Sequence, residues 1–103
     1  MFSDSQLTRI IDQATIYMCA CPAQVGDMVY KLRHLFAYQQ KCLERSGSDI
    51  NREVHDRIAL ATSEAHRQME ICLQDILHIE KWDMDTLEMP EGLRQLRDRS
   101  LYD

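Results

Sequence analysis

Two of the four cysteines stand with one residue between them in Cys19-Ala20-Cys21-Pro22, and in this run the chain's residue types come closest to chemistry. Thiolates suit zinc, copper(I) or a redox pair. A Cys-x-Cys inside a regular helix points its side chains about 200° apart, so both face one ion only where the helix is broken. Pro22 supplies the break, because it lacks a backbone donor and its ring clashes with the carbonyl four residues back. If one helix turns back at this corner and a second reversal falls near residues 47 and 48, Cys72 comes level with Ala23 and Cys19, and His78 comes near Tyr17. Cys42 is then roughly 30 Å away along its helix. The candidate metal set is therefore Cys19, Cys21, Cys72 and His78, with zinc or copper(I) as the ion or thiol redox as the activity. Against it, no Cys-x-x-Cys pair reinforces the pattern, and a free cysteine on an apolar stripe is an ordinary core residue. The expectation is accordingly no cofactor, with the metal or redox protein as the competing reading.

Other constellations fall short. Asp75 and His78 have the i,i+3 spacing of di-iron ligand helices, but that site needs a second such motif and two further inward carboxylates, which are missing. There is no glycine-rich phosphate loop, no serine in a strand-turn-helix setting and no base oriented toward Cys19 or Cys21, so an enzyme is not expected. His34 falls on a polar helix face, His55 in a first turn, and His66 beside an apolar stripe next to Thr62 and Met69.

Composition narrows the partners. Seventeen acidic against twelve basic residues give a net charge of -5, which repels a phosphate backbone, so nucleic acid is not an expected partner. Asp4 and Asp12 stand where an export signal needs a basic start and an unbroken apolar run, and no segment has membrane-spanning length, so a cytoplasmic location with reduced thiols and no membrane partner is expected.

The elements that must position these residues are helical. Three glycines, two prolines and abundant Leu, Ile, Met, Ala, Gln, Glu and Arg favour an all-α fold, and 103 residues make one domain. A first helix near 4–20 opens with Ser3 and Gln6 at capping-box spacing and buries Leu7, Ile10, Ile11, Ala14, Tyr17 and Met18. A second, near 22–45, starts on Pro22 and carries the seam Val25, Met28, Val29, Leu32, Leu35, Phe36, Gln39, Cys42 and Leu43 opposite Asp27, Lys31, Arg33, His34, Lys41 and Arg45. After Ser46-Gly47-Ser48-Asp49, a long third helix near 49–82 carries the stripe Val54, Ile58, Ala61, Ala65, Met69, Cys72, Ile76 and Ile79. An irregular stretch over 83–92 precedes a short fourth helix after Met89. The predicted architecture is an antiparallel three-helix bundle, one domain over 1–103, with 82–103 packing back on the bundle or on a partner.

Between Ile71 and Ile79 the apolar residues spread over about two thirds of the helix circumference, more than two neighbouring helices cover. Either the C-terminal segment or a second copy of the chain must pack there. The predicted interaction surface is Ile71, Leu77, Trp82, Leu87, Met89 and Leu93, and a homodimer is favoured. The size, acidity and helical hairpin are similar to those of small bacterial adaptors and secretion chaperones, a likeness of fold class. The functional expectation is a small cytoplasmic protein-protein interaction or adaptor module.

Overall fold

The computed structural model describes residues 1–16, 20–45 and 49–90, without the side chains of 15, 16, 20, 49 and 50. These residues form three helices, α1 (Asp4–Ile16), α2 (Ala20–Arg45) and α3 (Asp49–Ile79), and include no strand. The fold is all-α. The corner at 17–19, the reversal at 46–48 and the expected short fourth helix lie outside the described residues.

α1 begins as the capping-box spacing requires. The Ser3 amide donates to Gln6 Oε1 at 2.8 Å and the Gln6 amide donates to Ser3 Oγ at 3.0 Å, which satisfies two donors that a helix start leaves without an intrahelical acceptor. Phe2, just before the cap, is buried, and so are Leu7, Ile10 and Ala14 on the inner face. α2 starts two residues earlier than the proline suggests. Pro22 still sits in its first turn, where the missing N–H costs no intrahelical bond, and it is fully buried.

α3 stops at Ile79 rather than 82, and the stop is a Schellman motif. The Trp82 amide donates to the Leu77 carbonyl at 2.9 Å, the Lys81 amide donates to the His78 carbonyl at 3.1 Å, and Lys81 takes the left-handed conformation with φ 62°. Residues 82–90 are then irregular, as expected. Asp83 turns the chain by accepting the Asp85 and Thr86 amides on Oδ1 at 2.9 and 3.0 Å. Those two bonds hold the Asp83 carboxyl below its ordinary pKa.

α2 packs against both α1 and α3. Across α2 and α3, Arg33 meets His66 and Gln39 meets His55, so numbers rise on one helix as they fall on the other. The same holds for α1 and α2, where Asp4 meets Arg33 and Ile11 lies over Gly26. A Cβ built on Gly26 would stand 3.2 Å from Ile11 Cγ1, so the glycine is what lets α1 approach this closely. Leu7, Ile10, Ala14, Val29, Leu73 and Leu77 form the core, and Trp82, Leu87 and Met89 close it from the irregular segment.

That core occupies one end of a long molecule, 61 × 23 × 18 Å. α1 has 13 residues against 31 in α3, and its start is already level with Arg33. Beyond Arg33 and His66, the described remainder of α2 and α3 projects as a two-helix arm.

Candidate functional site

The polar node where arm and core meet is built on Arg33. Its Nε donates to His66 Nε2 at 2.9 Å, Nη1 pairs with Asp4 Oδ1 at 2.8 Å, and Nη2 pairs with Glu70 Oε2 at 2.6 Å and donates to the Phe2 carbonyl. The Met1 ammonium stands 3.4 Å from the other Glu70 oxygen. One guanidinium thus ties the start of α1 to α2 and α3. Burial works against charge on Arg33, but the hydrogen bonds and charges of Asp4 and Glu70 outweigh it and raise its pKa. Burial likewise works against ionised Glu70, and Arg33, the Met1 ammonium and His66 outweigh it and lower the pKa. His66 Nε2 also stands 3.7 Å from Glu70 Oε2. An adjoining cleft of about 250 Å³ is lined by Arg33, Phe36, Ser63 and His66, but the guanidinium is already spent on two carboxylates. The node is structural.

Of the candidate metal ligands, Cys21 is exposed in the first turns of α2, Cys72 is half-buried on α3, and His78 is exposed in the last turn of α3. Cys19 lies outside the described residues. Cys21, Cys42 and Cys72 are free thiols, and no group of three or more His, Cys, Asp or Glu side chains among the described residues is placed to hold a metal. Of the six surface candidates, Leu77, Trp82, Leu87 and Met89 are packed into the chain's own core. Ile71 faces solvent, and Leu93 lies outside the described residues. Within this chain, residues 82–89 therefore occupy the position that a symmetry mate would otherwise take against Leu73 and Leu77.

The uncovered apolar surface lies elsewhere. The α2 seam divides in two. Val29, Leu32, Phe36, Gln39 and Leu43 are buried or half-buried, whereas Met28 and Leu35 are 44% and 42% exposed, and Tyr38, outside the expected seam, is 63% exposed beside them. On α3 the stripe is displaced. Val54 and Ile79 are 51% and 76% exposed, Ala61 is exposed, and the buried positions are Ala59, Thr62, Glu70, Leu73 and Leu77. The cause is that α3's apolar arc is wider than one neighbour covers, and α2 sits on the flank that pairs His55 with Gln39 and His66 with Arg33.

Both exposed stripes face the same way. On α2, Gly26 and Arg33 mark the side covered by α1, and Met28, Leu35 and Cys42 lie about 90° to the other side of the seam, with Tyr38 further round. On α3, Glu70 marks the α1 side through its pairing with the Met1 ammonium, and Val54, Ala61 and Cys72 lie about 160–180° away from it. The face of the hairpin turned away from α1 is an apolar, largely uncharged strip.

A cleft of about 340 Å³ lined by Glu53, Val54, Arg57 and Ile58 opens along its α3 border. The seam expected on α2 joins two stripes that the fold separates, so this face is not evident from it. The separate recurrence of Met28, Leu35, Tyr38 and Cys42, at steps of seven, three and four, is the signal that would have found it. Arg33, expected on the face opposite the α2 seam, is half-buried in the node. The His66 and Glu70 pair, i,i+4 on the facing edge of α3, is the signal for the node.

No family model matches the chain, and no curated protein or solved structure matches it.

Proposed function

We propose that the protein is a small cytoplasmic interaction or adaptor module, an antiparallel three-helix bundle in one domain that binds another polypeptide chain through the face of α2 and α3 turned away from α1. One observation carries this reading: Met28, Leu35, Tyr38 and Val54 are exposed on a single face of a hairpin that α1 leaves bare. Scattered apolar side chains on a surface are ordinary, but a continuous strip on one side of two adjacent helices is characteristic of a binding surface. The descending pairs Arg33–His66 and Gln39–His55, and Asp4–Arg33 for α1, support the antiparallel arrangement. No described helix is long and apolar enough to cross a membrane. The net charge of -5 opposes a nucleic-acid partner.

The test is a photo-crosslinking residue placed at Tyr38 on the strip or at Arg67 on the outer side of α3, in the cells that make the protein. The expected result is a polypeptide adduct from position 38 and none from position 67. Absence of any adduct from position 38, or equal adducts from both, overturns the reading.

A further inference from the structure

We propose that the occupant of the bare hairpin face is a second copy of this chain, related by a two-fold axis parallel to the arm, so that each copy's α2 lies over the other's α3 and each Tyr38 enters the other's Val54–Ile58 cleft. This rests on the reading of that face as a binding surface and names its partner.

Three observations converge on it. The first is area. Two adjacent helices present a face about 20 Å wide, and from Met28 to Arg45 it runs about 26 Å, which over two copies gives about 1,000 Å², the size at which a specific interface begins. The second is access, since α1 and the segment 82–90 lie on the opposite side, so among the described residues no other segment stands between two copies approaching face to face.

The third is self-complementarity. The pairs Gln39–His55 and Arg33–His66 put Tyr38 level with residues 54–58 of its own α3. Tyr38 is 63% exposed, and the cleft of about 340 Å³ at that level is lined by Glu53, Val54, Arg57 and Ile58. A two-fold axis parallel to the helices preserves level and lays α2 over the second copy's α3, so the same knob meets the same cleft twice, as an isologous interface requires. In that position the Arg57 guanidinium lies by the tyrosine ring, a cation–π contact. The alternative two-fold, perpendicular to the arm, lays α2 on α2 and leaves both clefts empty. The strip between has Leu35, Cys42, Ala61 and Ala65, with charges at its borders, the distribution found at interface centres.

The experiment is sedimentation equilibrium of the full-length reduced protein over a wide concentration range, with Tyr38→Ala and Leu60→Ala variants and circular dichroism on each to show that helix content is retained. Both positions are exposed, so neither change removes core packing. Expected is a reversible species of twice the 12.1 kDa chain mass, weakened about tenfold or more by Tyr38→Ala and unchanged by Leu60→Ala, which lies outside the strip. To fix the arrangement, Tyr38→Cys protein is mixed with Arg57→Cys protein, both with Cys42→Ser. The expected product is the 38–57 heterodisulfide in preference to 38–38. A monomer at every concentration, a dimer indifferent to Tyr38→Ala, or a predominant 38–38 product overturns the proposal. If the protein is a monomer while the photo-crosslinker at Tyr38 captures a different polypeptide, the second-copy proposal falls and the interaction reading stands. If neither occurs, both fall.

Discussion

Replacing Arg33 by methionine keeps most of the stem volume but removes the guanidinium that joins Phe2, Asp4, His66 and Glu70. Glu70, with only 9% of its side chain exposed, then faces the interior without its closest cation. Breaking one side of a buried pair costs about 3–5 kcal/mol, and because Arg33 is one quarter exposed and the Met1 ammonium still lies 3.4 Å from Glu70, the low end applies, about 3 kcal/mol. In a domain whose whole stability is about 5–15 kcal/mol this is a large fraction, and it corresponds to a fall in Tm of roughly 12–24 °C.

Urea unfolding followed by circular dichroism measures the loss. A companion variant carrying Arg33→Met with Glu70→Leu should recover most of it, because an apolar pair of similar volume needs no compensating charge. If Arg33→Met alone loses under about 0.5 kcal/mol, an ordinary surface effect, or if the double variant is no better than the single one, the node is not what fastens α1 to the hairpin.

Other outcomes follow from the same geometry. Glu70 has its folded-state pKa below the ordinary 4.5, so its contribution is complete above that value and is lost as pH falls through the folded value. Acid unfolding of Glu70→Gln should therefore show a flatter stability profile below pH 4.5 than the parent. Lys81→Gly should stabilise by about 0.5–1 kcal/mol, since lysine pays for a left-handed backbone that glycine adopts freely. Leu87, also at positive φ but buried, should instead lose about 2–4 kcal/mol as glycine; thermal melts of the two distinguish backbone strain from packing. Cys21 should alkylate before Cys42 and Cys72, as its exposure requires, and zinc titrated into the reduced protein should show no saturable site. A stoichiometric zinc site lost in Cys21→Ser would return the metal reading.

What could be read in the sequence and what could not divide along a physical line. Capping is local, and Ser3 with Gln6 announced the start of α1 three residues apart. The end of α3 was harder, because its Schellman cap uses Lys81 where the sequence signal is glycine, so nothing between Ile79 and Trp82 marked the stop. Periodicity found each helix and its apolar residues, but not which of them a neighbour covers. Leu73 and Leu77 fell beside the α3 stripe and are buried, whereas Val54 and Ile79 fell on it and are exposed. That choice is made by where α2 and the segment 82–89 dock, which depends on contacts far apart in sequence. The Arg33 node is of the same kind, since its partners lie at the chain start and on α3, and the residue alone reads as a solvated cation.

On the proposed function, the face of the hairpin away from α1 holds another polypeptide chain. The most direct measurement of this is the size at which the protein elutes from a gentle extract of the cells that make it, for the parent, for Leu35→Glu with Tyr38→Glu on the strip, and for Leu60→Glu with Ile71→Glu on the outer side of α3. The parent and the outer-side variant should elute together in a larger species, and the strip variant should elute as the free 12.1 kDa chain with its helices intact. All three eluting at the same size would contradict it.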